Sequence, residues 1–138
     1  MRFTLTTWNI NSLRLRIDLV AKFLKSVRPD VLCLQETKCP DDAFPLKRFE
    51  NTDIRTFCGN LVSRHISVSF APALTGAPDG APLVLHNFYV PAGGDIPDPE
   101  VNPKFRHKLS FLDELCACEP LHPKGDDRHI LVGDLNVA

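Results

Sequence analysis

Nothing in this sequence supports a disulfide framework. Its five cysteines (Cys33, Cys39, Cys58, Cys116 and Cys118) are odd in number, and none belongs to a Cys-x-x-Cys pair. That argues against paired bridges or a zinc site and for reduced thiols in a cytoplasmic protein. Long apolar runs are missing too: no stretch approaches the roughly 20 residues that cross a bilayer. Strand-like residues begin at Met1, with no charged-then-apolar leader before them. A soluble, cytoplasmic monomer with no membrane partner is expected. Charge of one sign is also lacking, since 16 basic and 17 acidic residues leave a net charge of −1. This balance neither demands nor excludes nucleic acid. A nuclease would need a local basic patch, because acidic metal ligands depress the global sum. There is no internal repeat or low-complexity tract, and 138 residues with 43% hydrophobic content suit one domain.

What is present is a βαβ pattern. Phe3, Leu5 and Thr7 alternate with Thr4, Thr6 and Trp8, the period of a strand. Asn9-Ile-Asn-Ser12 offers turn and N-cap chemistry ahead of a helix. Leu13, Ile17, Val20, Ala21, Leu24 and Val27 recur at helical spacing, with Arg14, Asp18, Lys22 and Lys25 on the other side; Arg28-Pro29 ends the helix. Val31 to Gln35 is a continuous apolar run of the kind covered on both faces. Strand, helix and buried strand predict a right-handed parallel unit. Downstream, His65 to Phe70 and Leu83 to Val90 read as strands joined by a Pro- and Gly-rich connection, and Pro91 to Pro99 as an irregular loop. Asn102-Pro103 opens a second helix running to about Cys118, with Phe105, Leu109, Leu112 and Cys116 on one face. His129 to Val132 is a last short strand, with His129 at its boundary.

Polar groups collect where these strands end. Asn9 follows the first, Gln35 and Glu36 the second, Tyr89 closes a third, and Asp134 and Asn136 follow the last. In α/β proteins, sites form outside the carboxyl ends of strands. Carboxylates gathered there can hold Mg²⁺, a hard cation that prefers oxygen ligands and stabilises the charge built up when a phosphodiester is cleaved. Each residue alone has an ordinary explanation: asparagine forms turns, a lone glutamate is solvated, and Gly-Asp ends many strands. Order and spacing together are more specific.

Thr7-Trp-Asn-Ile-Asn-Ser-Leu-Arg14, Pro29-Asp-Val-Leu-Cys-Leu-Gln-Glu-Thr-Lys38, Asn87-Phe-Tyr-Val-Pro-Ala-Gly93 and Leu131-Val-Gly-Asp-Leu-Asn136 resemble successive signature blocks of the exonuclease III / abasic-site endonuclease family. Asp41 to Leu46 resembles the loop after that family's glutamate. The resemblance implies a DNase I-like, four-layer α/β sandwich, here incomplete: mainly one β-sheet flanked by helices. It implies a Mg²⁺ (or Mn²⁺) site formed by Asn9, Glu36 and Asp134, with Asn9 orienting the acids around the metal. Tyr89, Asp134 and Asn136 are then the catalytic set: a hydroxyl on the scissile phosphate, the activator of water, and a phosphate-binding amide. Arg64, Tyr89 and Asn136 would bind substrate, and Lys38 would help position Glu36. The implied partner is double-stranded DNA with abasic sites or blocked 3′ ends.

The sequence also departs from that pattern. The family's second half, with a further aspartate and an Asp-His pair, has no counterpart among His65, His86, His107, His122 and His129. A Gly-rich strand and hairpin expected near residues 49–52 is missing, as if excised, and the resemblance covers only the family's front part. A partial domain over 1–138 is therefore expected, with the inner face of its sheet exposed to water and turnover impaired. Two alternatives remain open: a non-catalytic remnant that binds metal or DNA, and a relative that hydrolyses another phosphate ester.

Overall fold

The structure, a computed structural model, describes residues 3–49, 64–76, 80, 82–118, 121 and 128–137. Strand β1 (Leu5–Asn9), helix α1 (Leu13–Val27) and strand β2 (Val31–Gln35) form the expected unit, with β1 and β2 parallel from Leu5↔Val31 to Asn9↔Gln35. Strand alternation puts Trp8, Leu32 and Leu34 on the face that α1 covers, where they pack with Ile10, Leu13, Ile17, Val20 and Leu24. Val27, expected on this face, is 49% exposed because it lies in the helix's last turn, beyond the sheet. Arg28 adopts a left-handed conformation, donates its N–H to Leu24 O and ends the helix before Pro29.

The start of α1 departs from expectation. Ser12 has φ 85° and makes no side-chain cap. Instead, the N–H groups of Ser12 and Leu13 donate to the carbonyls of Glu36 (2.7 Å) and Thr37 (2.8 Å). The loop leaving β2 thus satisfies the helix's orphan donors, and this fixes Glu36 relative to α1.

Strand β3 (His65–Phe70), a helical turn α2 (Pro72–Thr75), strand β4 (Leu83–Tyr89) and strand β5 (Arg128–Asp134) build the rest of the β-structure. β3 and β4 are antiparallel, β4 and β5 parallel, and the sheet order is β3-β4-β5. The α/β class holds, and the strands divide into this three-stranded sheet and the two-stranded β1–β2 sheet. The two meet through their inner faces: Gln35 Nε2 donates to Asn87 Oδ1 at 2.6 Å, Asn87 Nδ2 donates to Leu34 O at 3.2 Å, and Phe3 meets Phe70 edge-on. Cys33, Leu83 and Leu85 are buried. The expectation of a wetted inner face is therefore corrected in part: the chain contributes strands to both layers, and each covers some of the other's apolar face, while Ile66, Val68, Ile130 and Val132 stay half-buried.

Helix α3 (Pro103–Ala117) has the expected start: Asn102 accepts from the N–H groups of Lys104 (3.0 Å) and Phe105 (3.3 Å). Its covered face is turned slightly from expectation. Leu109 is 36% exposed and Cys116 exposed, while Phe105, Lys108, Leu112 and Leu115 are partly covered. Phe105 and Lys108 lie against the irregular loop at Gly93. Among the described residues the cysteines are free, and no helix is long and apolar enough to cross a membrane. The junction expected near 49–52 lies outside the described residues from residue 50 onward, as do Cys58 and His122.

Candidate active site

Both parallel pairs deliver their final residues to the same rim. Asn9 ends β1, Glu36 follows β2, Tyr89 ends β4, and Asp134 ends β5 directly opposite Tyr89 in register. Asn9 Nδ2 donates to Glu36 Oε1 at 3.1 Å and to Asp134 Oδ2 at 2.7 Å, so one amide links carboxylates from the two sheets. Tyr89 OH donates to Glu36 Oε1 at 2.7 Å, and Lys38 Nζ lies 3.3 Å from Glu36 Oε2. Arg64, immediately before β3, places its guanidinium carbon 5.1 Å from the Tyr89 ring centroid.

These contacts set the protonation states. The Tyr89 hydroxyl, then the Asn9 amide and Lys38, hold the Glu36 carboxyl below its ordinary range, against a smaller opposing effect of burial. The same hydrogen bond, with burial and the Glu36 charge, pushes the Tyr89 phenol up. At neutral pH, Glu36 is an anion and Tyr89 keeps its proton. The phenol is a donor and not a base.

Backbone geometry supports the arrangement. Glu36 and Asn136 have φ 51° and 48°. Gly133, with φ 142°, leaves no room for a side chain: a Cβ there would stand 2.0 Å from Phe88 O. That close approach lets β5 run tight against β4 and deliver Asp134.

Four of the expected residues, Asn9, Glu36, Tyr89 and Asp134, form one hydrogen-bonded set, and Arg64 adjoins it. Asn136 is near but differently engaged. Its N–H donates to Asp134 Oδ1 at 3.1 Å, its Nδ2 to Val90 O at 2.7 Å, and its carbonyl accepts from Lys108 Nζ at 2.5 Å. Its side chain thereby anchors the loop after β5. Arg14, Lys22 and Lys25 are exposed on α1. Sequence reasoning missed Asn87, Asn11 and Lys108. Asn87 had a signal, being two residues before Tyr89 and so on the same face of β4; Gln35, 4% exposed, bonds to it and to Thr7 Oγ1 beneath Glu36.

The donor set fits a hard divalent cation. It offers oxygens and no soft ligand, and Mg²⁺ is commonly held through only one or two carboxylates with water completing its shell. Glu36 and Asp134 are the two carboxylates that could serve; among the described residues there is no group of three His, Cys, Asp or Glu placed to hold a metal. Asn9 turns its NH₂ toward the acids, while its Oδ1 accepts the Asn11 N–H at 3.1 Å. It therefore orients the carboxylates.

The profile of the endonuclease/exonuclease/phosphatase family matches residues 6–138. The chain belongs to this family. Similar solved structures include an AP endonuclease from Archaeoglobus fulgidus (TM-score 0.67, 23% identity, 99% of this chain and 58% of that one). A 3′ phosphatase from Neisseria bound to a product DNA hairpin gives TM-score 0.63 at 23% identity over 99% of this chain and 59% of its own. A 3′-5′ exonuclease from Neisseria meningitidis gives 0.62 at 24%, with the same coverage. No curated protein matches the chain. The chain spans 58–59% of the length of these structures, and the likeness shows that they share the family's fold.

Proposed function

We propose that this chain carries the acidic half-site of a Mg²⁺-dependent DNA phosphodiesterase of the exonuclease III / AP endonuclease type. The observation that carries this reading is Asn9 holding Glu36 and Asp134, from separate sheets, on a single amide. Bound Mg²⁺ (or Mn²⁺) would polarise the phosphate and offset its developing charge. Glu36 and Asp134 would hold the cation, and Asn9 would keep their oxygens aimed at it. Asp134, oriented by Asn9 and by the Asn136 N–H, would accept a proton from the attacking water. Tyr89, protonated at neutral pH, would turn its hydroxyl from Glu36 to a phosphate oxygen, with Arg64 beside it as a second contact to the anion. Asn136 would reach phosphate only by leaving Val90 O. The substrate would be double-stranded DNA with an abasic site or a blocked 3′ end; the solved relatives, one of them bound to a DNA hairpin, support DNA as the class.

Turnover should be slow. His65, His86 and His129 lie on the outer face of their sheet, opposite the face that carries Tyr89 and Asp134, so none of them can assist at the phosphate. The test is incision of a duplex bearing an abasic-site analogue, with Mg²⁺, by the purified chain and its Glu36→Gln and Asp134→Asn variants. Incision that disappears in both variants supports the reading; incision indifferent to both overturns it.

A further inference from the structure

The two oxygens of Glu36 have partners of different charge. Oε1 accepts from Asn9 Nδ2 at 3.1 Å and from Tyr89 OH at 2.7 Å, and two neutral donors occupy its two lone pairs. Oε2 faces the Lys38 ammonium at 3.3 Å. On Asp134, Oδ2 accepts from Asn9 and Oδ1 from the Asn136 N–H. Before substrate arrives, a cation approaching Glu36 therefore meets Oε2, the oxygen that already has a positive charge against it.

Local structure holds the ammonium in that place. The Lys38 side chain is 57% exposed, so its oxygen partners fix it more than packing does. Besides Glu36, Lys38 Nζ meets Asn11 Oδ1 at 2.5 Å. Asn11 donates its own N–H to Asn9 Oδ1 at 3.1 Å, and its carbonyl accepts from Arg16. Asn11, Glu36 and Lys38 have φ of 43°, 51° and 48°, a backbone region that residues other than glycine occupy only when their surroundings impose it. The bonds from the Ser12 and Leu13 N–H groups to the carbonyls of Glu36 and Thr37 tie the two loops together.

We propose that Lys38 is a built-in competitor for the divalent cation, its ammonium standing on the one Glu36 oxygen that neutral donors leave open. The competition rests on the divalent-cation reading above. A hard divalent ion lies about 2.1 Å from a carboxylate oxygen, so an ion sharing Oε2 with Lys38 would sit no more than about 5.5 Å from the ammonium. Repulsion across that gap, in water and physiological salt, weakens metal binding about threefold to tenfold. If Lys38 instead swings aside, it gives up Glu36 and keeps Asn11, and that loss again falls on the metal's affinity. Without metal, the same ammonium offsets the repulsion between two carboxylates that share one amide. The sign is opposite to that of a helper. Removing a residue that positions Glu36 for metal weakens binding, whereas removing a competitor strengthens it, because Asn9 and Tyr89 still hold Oε1.

The test is calorimetric titration of the full chain with Mn²⁺ and with Mg²⁺ at constant pH and two salt concentrations, alongside Lys38→Met, Lys38→Gln and Lys38→Arg. Both neutral variants should bind about threefold to tenfold more tightly than the unsubstituted chain, and the gain should shrink as salt is raised. Lys38→Arg, which keeps the charge, should bind no more tightly than the unsubstituted chain. Unchanged or weaker binding in the neutral variants overturns the proposal; if Glu36→Gln still weakens binding, the metal site itself stands. An equal gain in Lys38→Arg also overturns it, since charge is then not the cause. No metal binding by the unsubstituted chain, or binding indifferent to Glu36→Gln, removes the divalent-cation reading and the competition with it.

Discussion

Replacing Tyr89 with phenylalanine isolates one hydrogen bond. The ring and its contact with Arg64 are retained, no cavity forms, and only the donor 2.7 Å from Glu36 Oε1 is lost. A hydrogen bond to a charged acceptor contributes about 1.5–3 kcal/mol. The Glu36 side chain is 22% exposed, so water replaces part of what is lost and the lower end, about 1.5 kcal/mol, applies. Asn9 and Lys38 still hold the carboxylate, so Glu36 should titrate closer to its ordinary range without reaching it. The sign follows from linkage. A carboxyl lowered in the folded state stabilises the fold above its unfolded value and loses that contribution as pH falls through the folded value. Tyr89→Phe should therefore reduce unfolding free energy at pH 7 and much less in acid, where Glu36 is protonated in both proteins. Carboxyl carbon NMR of Glu36, with urea unfolding at both pH values, measures this. An unchanged Glu36 titration, or an equal loss at both pH values, would refute the reasoning.

Three further outcomes are expected. Gly133→Ala should cost more than about 2 kcal/mol in urea unfolding, because a residue forced to a positive φ costs about 1–3 kcal/mol and its Cβ would also strike Phe88 O; a loss within 0.5 kcal/mol would contradict the close β4–β5 approach. Asn102→Ala should lower stability by about 1 kcal/mol through loss of the α3 cap, and by more if its bonds to Gly93 O and Ile96 O also matter; thermal melts decide. Acid should destabilise the fold through His65 and His86, which burial holds below their ordinary range. Both charge more readily in the unfolded chain, so stability should fall as pH drops through the ordinary imidazole range, which urea unfolding against pH measures. His86→Asn should flatten that slope, and an equally steep slope in the variant would refute this.

Local patterns revealed the elements and most of the site. Alternation over Phe3–Trp8, the apolar run Val31–Leu34 and helical spacing through Leu13–Leu24 were enough for the βαβ unit, and strand endings singled out Asn9, Glu36, Tyr89 and Asp134. What the sequence hid depends on long-range placement. Leu83 and Leu85 show that β4 has a buried face, but nothing local says which sheet that face meets. Ser12 looks like a cap, yet its role passes to carbonyls of Glu36 and Thr37 that only the parallel β1–β2 pairing brings near. The contacts of His86 with His65 and with His129, each 2.9 Å between ring nitrogens, are invisible in one dimension. The residues are 21 and 43 apart in sequence, and only the registers Ser67↔His86 and Val84↔His129 set them side by side.

The central claim is that two carboxylates from different sheets converge to hold one divalent cation. Calorimetric titration of the chain with Mn²⁺ and Mg²⁺, repeated on Glu36→Gln and Asp134→Asn, tests it most directly. One site per chain is expected, with affinity lowered at least about tenfold in either variant, a difference of about 1.4 kcal/mol. Heat of binding that neither substitution changes, or no binding at all, would contradict it.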